Sequence, residues 1–200
     1  MKYAFMTFSC PQWTLDEVLA AAQRYGYDGV ELRVDADHLH GVEISNTAEQ
    51  RRAARRMAAA HGVALCCVAT SCRFADPATV AQNIAEAQER IDLAADLGAR
   101  AVRVFGGKIP PGLSRQAATA SVAQALETLA GYAAQRGVYL ALETHDDWCN
   151  PQDVLAVVSQ VNHPYAGVNW DYMHTLRIAK TSVDDAFAAL GPYIRHVHFH

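Results

Sequence analysis

The chain has 200 residues, which is long enough for a single domain with a substantial buried core. Its composition, 51% hydrophobic and 19% charged, is that of a globular protein and argues against intrinsic disorder. A formal net charge of −4 disfavours electrostatic binding to nucleic acid, and no stretch approaches the ~20 consecutive apolar residues of a membrane span.

The cysteines and the N-terminus indicate the compartment. The five cysteines are Cys10, Cys66, Cys67, Cys72 and Cys149. Their number is odd and their spacing does not match a zinc site, so reduced thiols are the simplest interpretation. The N-terminal segment lacks the long apolar run and the cleavage site of a secretory signal. We therefore expect a cytoplasmic protein that binds neither nucleic acid nor a membrane.

One pattern recurs along the chain: an alanine-rich amphipathic helix ends at a glycine, and a short apolar strand follows. The glycines of these junctions are Gly26, Gly62, Gly98 and Gly137. The pattern predicts strands near 3–8, 29–34, 63–69, 101–105, 138–143, 166–171 and 194–200. It predicts helices near 14–25, 46–61, 77–97, 114–136, 150–161 and 182–191. Strands that are apolar on both faces are typical of a parallel sheet covered by helices.

The alternation of strand and helix predicts an α/β fold with a parallel sheet and right-handed crossovers. Seven strands and six helices fall short of a complete (β/α)₈ TIM barrel by one helix, one strand and one final helix. No linker or low-complexity stretch indicates a second domain. We therefore predict one TIM-barrel domain over residues 1–200, with the eighth strand and the last helix absent from this chain.

Carboxylate and histidine side chains recur at the ends of three successive predicted strands. The segments are LETH, with Glu143, NWDYMH, with Asp171, and HVHFH, with His198. Asp171 follows Glu143 by 28 residues and His198 follows Asp171 by 27, about one strand-plus-helix unit of a barrel in which ~250 residues make eight units. Residues one unit apart lie on neighbouring strands at the same mouth of a barrel. Their convergence predicts a divalent-metal site.

The alternation of side chains along a strand supports an inward orientation of the two carboxylates. Leu140 and Leu142 face the opposite way from Glu143, and Trp170 faces the opposite way from Asp171. The competing interpretations are a surface glutamate at the start of a loop and an aspartate that caps a turn or a helix.

The histidines of HVHFH share one face of their predicted strand. They are His196, His198 and His200. Neutral imidazoles each need hydrogen-bond partners, so three on one face are hard to explain as packing. Successive residues on one face are ~6.6 Å apart along a strand, so the three cannot all bind one ion. One is therefore predicted to be a ligand, and the others to contact substrate or to support that ligand.

Further polar residues lie near the same predicted strand ends. Glu31, in GVELRV, is expected to point into the barrel, and a buried ion pair with Arg33 is the competing interpretation. His145, which ends LETH, is a candidate contact for substrate hydroxyls, and His174, which ends NWDYMH, can reach the same cavity. Lys108, in the loop FGGKIPPG, is a candidate for binding a carboxylate or a phosphate, although the loop lacks the full spacing of a P-loop.

These residues and segments give the chain a resemblance to the sugar phosphate isomerase/epimerase superfamily, also called xylose isomerase-like barrels. The resemblance covers essentially the whole chain and rests on DGVELR, VRVFGG, ALETH, NWDYMHT and RHVHFH. In related ketose 3-epimerases a single divalent ion is held by Glu, Asp, His and a second Glu. The resemblance places the first three ligands at Glu143, Asp171 and His198, and a substrate-contacting histidine at His174. The second Glu belongs to an eighth strand, which this sequence does not contain.

The resemblance implies an isomerase or epimerase of a sugar or sugar phosphate that transfers a proton next to a carbonyl through an enediolate. The implied cofactor is one divalent ion, Mn²⁺, Mg²⁺, Co²⁺ or Zn²⁺, which acts as a Lewis acid and a template. Glu143 is the candidate for proton transfer. The candidate substrate contacts are His174, His145, Glu31, His200 and Lys108. The expected partner is a small carbohydrate, and a homo-oligomer is compatible with the sequence.

Other functions fit parts of the same pattern. The ligand set also resembles that of dehydratases of the 3-dehydroshikimate or inosose type, which eliminate water after a similar proton abstraction. A repair endonuclease of the endonuclease IV type shares the barrel but needs a multi-zinc cluster, and this chain lacks the additional ligands. A metal- or sugar-binding barrel without catalysis is the non-enzyme alternative.

A parallel sheet of seven strands would expose two unpaired edges. We therefore expect that the natural polypeptide continues beyond His200, or that another chain covers the gap. A glutamate on the first strand of that continuation would complete the ligand set that the resemblance implies.

Overall fold

The computed structural model describes residues 1–199, along which strands and helices alternate. The strands are β1 (Ala4–Met6), β2 (Gly29–Arg33), β3 (Ala64–Arg73), β4 (Ala101–Phe105), β5 (Tyr139–Glu143), β6 (Ala166–Asp171) and β7 (Ile194–His198). The helices are α1 (Leu15–Tyr25), α2 (Ala48–Ala60), α3 (Val80–Leu97), α4 (Arg115–Arg136), α5 (Pro151–Val161), α6 (Tyr172–Arg177) and α7 (Val183–Leu190). Within this part of the chain, no helix has both the length and the apolarity needed to cross a membrane.

The order of the seven strands in the sheet follows the sequence, from β1 to β7. The pairings β1–β2, β2–β3, β5–β6 and β6–β7 are all parallel. Parallel neighbours in sequence order, joined by helical crossovers, are the architecture of a TIM barrel. The predicted α/β fold class is confirmed.

Side-chain caps start several helices, and left-handed glycines follow four of them, at Gly26, Gly62, Gly98 and Gly137. Thr14 forms a capping box with Glu17 at the start of α1, and Ser114 Oγ accepts an amide N–H from the first turn of α4. After α1 and α4 the chain turns at Gly26 and Gly137, with φ of 75° and 69°. This left-handed conformation favours glycine because a Cβ atom would be strained there. Each turn leads the helix directly into the next strand.

The first of two compact units comprises Met1–Ser71 and Glu89–Val102. Its core contains fully buried side chains from α1, β2 and α3. These include Val18, Leu19, Leu32, Ile91 and Leu93. Within this unit Arg90 Nη2 lies 2.7 Å from Asp35 Oδ1, and both side chains are largely buried. A buried charge needs such a partner, which accounts for an arginine on a covered face of α3.

The second unit comprises Cys72–Gln88 and the chain from Arg103 onward. Here β5, β6 and β7 are neighbours, with α4 and α5 packed beside them. The fully buried side chains include Leu126, Leu129, Leu140, Leu142, Trp148 and Leu190. The register between β6 and β7 shifts after Val168, so that Asp171 pairs with His198. The shift places two predicted ligands, Asp171 and His198, directly opposite each other on neighbouring strands.

The structure differs from the predicted elements at two main places. Helix α6 (Tyr172–Arg177) is absent from the prediction, and it begins directly after β6 because Asp171 caps it. Strand β3 continues past its predicted end at residue 69 to Arg73. Thr70 and Cys72 remain buried on one face of this extension, so the alternation of a strand persists through residues that are individually polar.

Candidate functional site

Glu143 ends β5 as a buried carboxylate, with only 4% of the residue exposed. Its Oε1 lies 2.7 Å from Nδ1 of His198 on β7. Its Oε2 lies 3.2 Å from Nε of Arg103 on β4. The side chain therefore meets two basic groups of the second unit, which excludes the competing interpretation of a surface glutamate.

The surroundings of Glu143 determine its charge. Burial raises the pKa of a carboxyl group, because the ionised form loses hydration. At Glu143 the hydrogen bond with His198 and the positive charge of Arg103 together outweigh burial and hold the pKa below its ordinary value. Glu143 is therefore ionised at neutral pH, the form that can bind a cation or accept a proton.

The ionisation of Glu143 should make the stability of the folded chain depend on pH in the acidic range. The pKa of Glu143 in the folded chain lies below its ordinary value of 4.5, so the folded state binds fewer protons than the unfolded state. The stabilisation is present above that ordinary value and is lost as the pH falls through the folded value. Urea unfolding between about pH 3 and about pH 7 should show a smaller acid-induced loss of stability in Glu143→Gln than in the wild type. Equal losses would contradict the assignment, and Glu127→Gln, at an exposed position on α4, is the control.

Asp171 ends β6 and starts α6 at the same time. Its Oδ1 accepts the backbone N–H of His174 at 3.1 Å, so the competing interpretation of a capping aspartate is confirmed. The Thr144 hydroxyl accepts the N–H of Asp171 at 2.8 Å and donates to its carbonyl oxygen at 3.0 Å. Asp171 is 1% exposed. The cap and the threonine together fix the position of this carboxylate.

His198 on β7 connects the two carboxylate-bearing strands. Its Nδ1 lies 2.7 Å from Glu143 Oε1 and 3.0 Å from Asn169 Nδ2. One ring nitrogen cannot donate to a carboxylate and accept from an amide with the same proton position. Asn169 is fully buried, and its Oδ1 has no hydrogen-bond partner among residues 1–199. A half-turn of the amide would set Oδ1 against an Nδ1–H, which it would then share with the Glu143 carboxylate.

Glu143, Asp171 and His198 fit a divalent ion. One ligand atom from each lies within 4.8 Å of the others. Two carboxylates and one imidazole are donors that Mn²⁺ and Zn²⁺ accept. The imidazole and both carboxylates would hold a cation in their deprotonated forms, as metal ligands do. These three residues would hold the ion.

Three rings lie close to one another: Phe105 ends β4, His145 follows β5, and His174 belongs to α6. The ring centroids of Phe105 and His145 are 4.9 Å apart, and those of His145 and His174 are 4.6 Å apart. His174 Nδ1 lies 3.1 Å from the carbonyl oxygen of Thr144. Because a carbonyl can only accept, Nδ1 of His174 carries its proton. Phe105, His145 and His174, which we call the ring cluster, are all partly exposed and offer a surface to a small ligand.

The remaining predicted residues lie in different surroundings. His196 is next to His198 on the same face of β7, with ring centroids 5.3 Å apart. Lys108 is exposed in the loop after β4. Glu31 belongs to the first unit, on β2, and is 3% exposed. His200 lies outside the described residues, so its substrate contact stays a prediction.

Three residues that contact the candidate ligands are not predicted from the sequence. They are Arg103, Thr144 and Asn169. The sequence does carry a signal for Arg103, since a charge at the centre of the apolar strand AVRVF needs a buried partner. Thr144 and Asn169 act through hydrogen bonds to neighbouring strands, and no local pattern reveals such contacts.

Two of the cysteine thiols, those of Cys66 and Cys149, do not suit nucleophilic chemistry. Burial raises the pKa of Cys149 to about 11, and the negative charge of Asp146 adds to this. Burial likewise raises the pKa of Cys66 to about 12, with a further contribution from Glu31. A thiol that stays protonated at neutral pH is a poor nucleophile. Neither thiol is therefore a candidate nucleophile.

Solved structures with the same fold include several enzymes. D-psicose 3-epimerase, determined in the presence of D-fructose, has a TM-score of 0.84 at 17% identity, and the match covers 100% of this chain and 73% of that chain. The probable 3-DHS dehydratase of Bacillus anthracis, involved in petrobactin synthesis, has a TM-score of 0.83 at 22% identity, with coverage of 100% and 73%. A xylose isomerase-like TIM barrel protein of Mycobacterium smegmatis in complex with magnesium has a TM-score of 0.75 at 20% identity, with coverage of 98% and 73%. At these identities the likenesses show the fold.

The family is shown by the sequence itself. Curated protein sequences give no significant match. The family model described as the xylose isomerase-like TIM barrel, however, matches residues 19–200. That match covers most of the chain and agrees with the parallel strand order. The chain belongs to the xylose isomerase-like TIM barrel family.

Proposed function

We propose that the protein is a divalent-metal-dependent isomerase or epimerase of a sugar or sugar phosphate. The observation that carries the proposal is the convergence of Glu143, Asp171 and His198 within 4.8 Å. Two known structures support it. One is an epimerase determined in the presence of a ketose sugar, and the other is a family member in complex with magnesium.

In this proposal Glu143 removes the proton from the carbon next to the substrate carbonyl. Glu143 is suited to this task because it is ionised at neutral pH and is held on both sides by basic groups. A bound divalent ion supplies Lewis-acid polarisation of the substrate carbonyl. Water would be scarce around Glu143, which is buried, and electrostatic effects are stronger in such surroundings.

The ring cluster is proposed to orient the substrate. His174 is fixed by its hydrogen bond to the Thr144 carbonyl, and His145 lies between His174 and Phe105. Imidazole nitrogens can exchange hydrogen bonds with sugar hydroxyls. Phe105 offers an apolar surface to the carbon skeleton.

Solvent deuterium exchange tests the reaction class. The purified protein, supplied with Mn²⁺, is incubated in D₂O with a panel of ketoses and ketose phosphates. We expect deuterium at the carbon next to the carbonyl, together with an epimer or an isomer, as followed by NMR and mass spectrometry. Removal of the metal with a chelator should abolish exchange. If metal is bound but no exchange occurs across the panel, the proposal is wrong, and either the dehydratase or the non-catalytic binding barrel is favoured.

A dehydratase is the second candidate, and one observation favours it. The probable 3-DHS dehydratase of Bacillus anthracis has nearly the same TM-score as the epimerase, 0.83 against 0.84. Both reactions begin with removal of a proton next to a carbonyl, so the two differ only in their later steps. Loss of one water molecule from 3-dehydroshikimate or an inosose, detected by mass, would identify the dehydratase. Return of a deuteron without loss of water would identify the epimerase.

A further inference from the structure

The two carboxylate oxygens of Glu143 face different side chains. Oε2 faces Arg103 Nε at 3.2 Å, while Oε1 faces His198 Nδ1 at 2.7 Å. The side chains of Arg103 and Glu143 are each 5% exposed. The carboxylate therefore cannot rotate without breaking one of two buried polar contacts, and such contacts are costly to lose.

Arg103 also packs on a ring of its own strand. Its guanidinium carbon lies 3.9 Å from the centroid of the Phe105 ring, a distance typical of a cation–π contact. Both residues belong to β4, so the strand backbone sets the position of the ring and the guanidinium together. A planar guanidinium packed on a ring is preorganised to meet a carboxylate in one orientation, which a lysine ammonium is not.

We infer that Arg103 is a positioning residue for the proposed metal centre: by holding Oε2 of Glu143, it aims Oε1 at the face shared with Asp171 and His198. The inference rests on the proposed function, because it concerns the ion which that function requires. It also implies that Glu143 offers the ion one oxygen rather than two.

The charge of Arg103 and its positioning effect act on metal binding in opposite directions. Removal of a positive charge close to the centre should strengthen the binding of a cation by Coulomb's law. Loss of a group that orients a ligand typically weakens metal binding by about 10- to 100-fold. The sign of the measured change therefore separates a positioning residue from a charge that merely neutralises Glu143.

The experiment is a calorimetric titration of the metal-free protein with Mn²⁺ at one fixed pH. The variants are Arg103→Met, which removes both the charge and the planar guanidinium, and Arg103→Lys, which keeps the charge alone. Arg136→Gln, at an exposed position in the last turn of α4, is the matched control. We expect both Arg103 variants to bind Mn²⁺ about 10- to 100-fold more weakly than the wild type and the control.

Circular dichroism establishes which variants are folded before titration. If Arg103→Met does not fold, Arg103→Lys decides alone, since it preserves the countercharge of Glu143. Binding by either folded variant that equals or exceeds that of the wild type overturns the inference. A wild type that binds no Mn²⁺ overturns it too, but by removing the metal centre of the proposed function. The two failures are therefore distinguishable.

Discussion

Replacement of Glu143 by Gln should lower the rate of deuterium exchange by about 10²- to 10⁴-fold, the usual contribution of a proton-transferring side chain. The amide is nearly isosteric but can neither accept the proton nor bring a negative charge to a cation. The rate is measured by NMR with the substrate that exchanges fastest with the wild type. Metal content is measured in the same samples.

The same substitution leaves Arg103 without the carboxylate that lies 3.2 Å from its Nε. Breaking a buried pair on one side costs about 3–5 kcal/mol of folding free energy, so exchange must be measured where the variant is shown to be folded. Glu127→Gln makes the same chemical change on an exposed face of α4 and should exchange at the wild-type rate. A folded Glu143→Gln protein with full activity would remove Glu143 from the proposed mechanism.

Replacement of Trp148 by Ala is expected to lower the free energy of unfolding by about 3–5 kcal/mol, as for other large buried aromatic residues. Trp148 is fully buried, and its Nε1 donates to the carbonyl oxygen of Gly107 at 2.8 Å. A Cβ atom added at Gly106 would overlap the indole, which shows how closely the loop after β4 packs on this ring. The alanine variant would therefore leave a cavity and also release the loop that carries Lys108.

Two further variants help to interpret this loss of stability: one isolates the hydrogen bond of Trp148, and the other is an exposed tryptophan for comparison. Trp148→Phe keeps most of the apolar volume but loses the hydrogen bond, so a cost of about 1 kcal/mol is expected from the bond. Trp13→Ala removes a tryptophan that is 41% exposed and should cost much less than Trp148→Ala. Urea unfolding gives all three values. A Trp148→Ala protein as stable as Trp13→Ala would contradict the packing described for the loop.

Prediction from sequence succeeds where the signal is local and periodic. The helix–glycine–strand pattern sets the order of the elements, because glycine at positions such as Gly26 and Gly137 ends a helix in a conformation that other residues adopt with strain. Side-chain alternation predicts that His196 and His198 share a face, and their ring centroids are 5.3 Å apart; it also predicts that Glu143 and Asp171 point inward, and both are buried. Their chemical roles remain predictions.

Other features depend on contacts between distant segments and leave no periodic trace. Without the register shift after Val168, Asp171 would pair with Val197 instead of His198, and the two ligand candidates would lie at different levels. A shift of this kind depends on how two strands fit together, and neither strand alone specifies it. Helix α6 is missed for a related reason, since a six-residue helix is too short for helical periodicity to appear.

The capping role of Asp171 has a mechanical consequence. The Asp171 carboxylate has two roles. It caps the N-terminus of α6 through its hydrogen bond to the His174 N–H, and it is a candidate metal ligand at the end of β6. A displacement of α6 that moved the His174 backbone would pull on this same carboxylate, the proposed metal ligand. The position of α6 and the position of the Asp171 carboxylate are therefore coupled through one hydrogen bond.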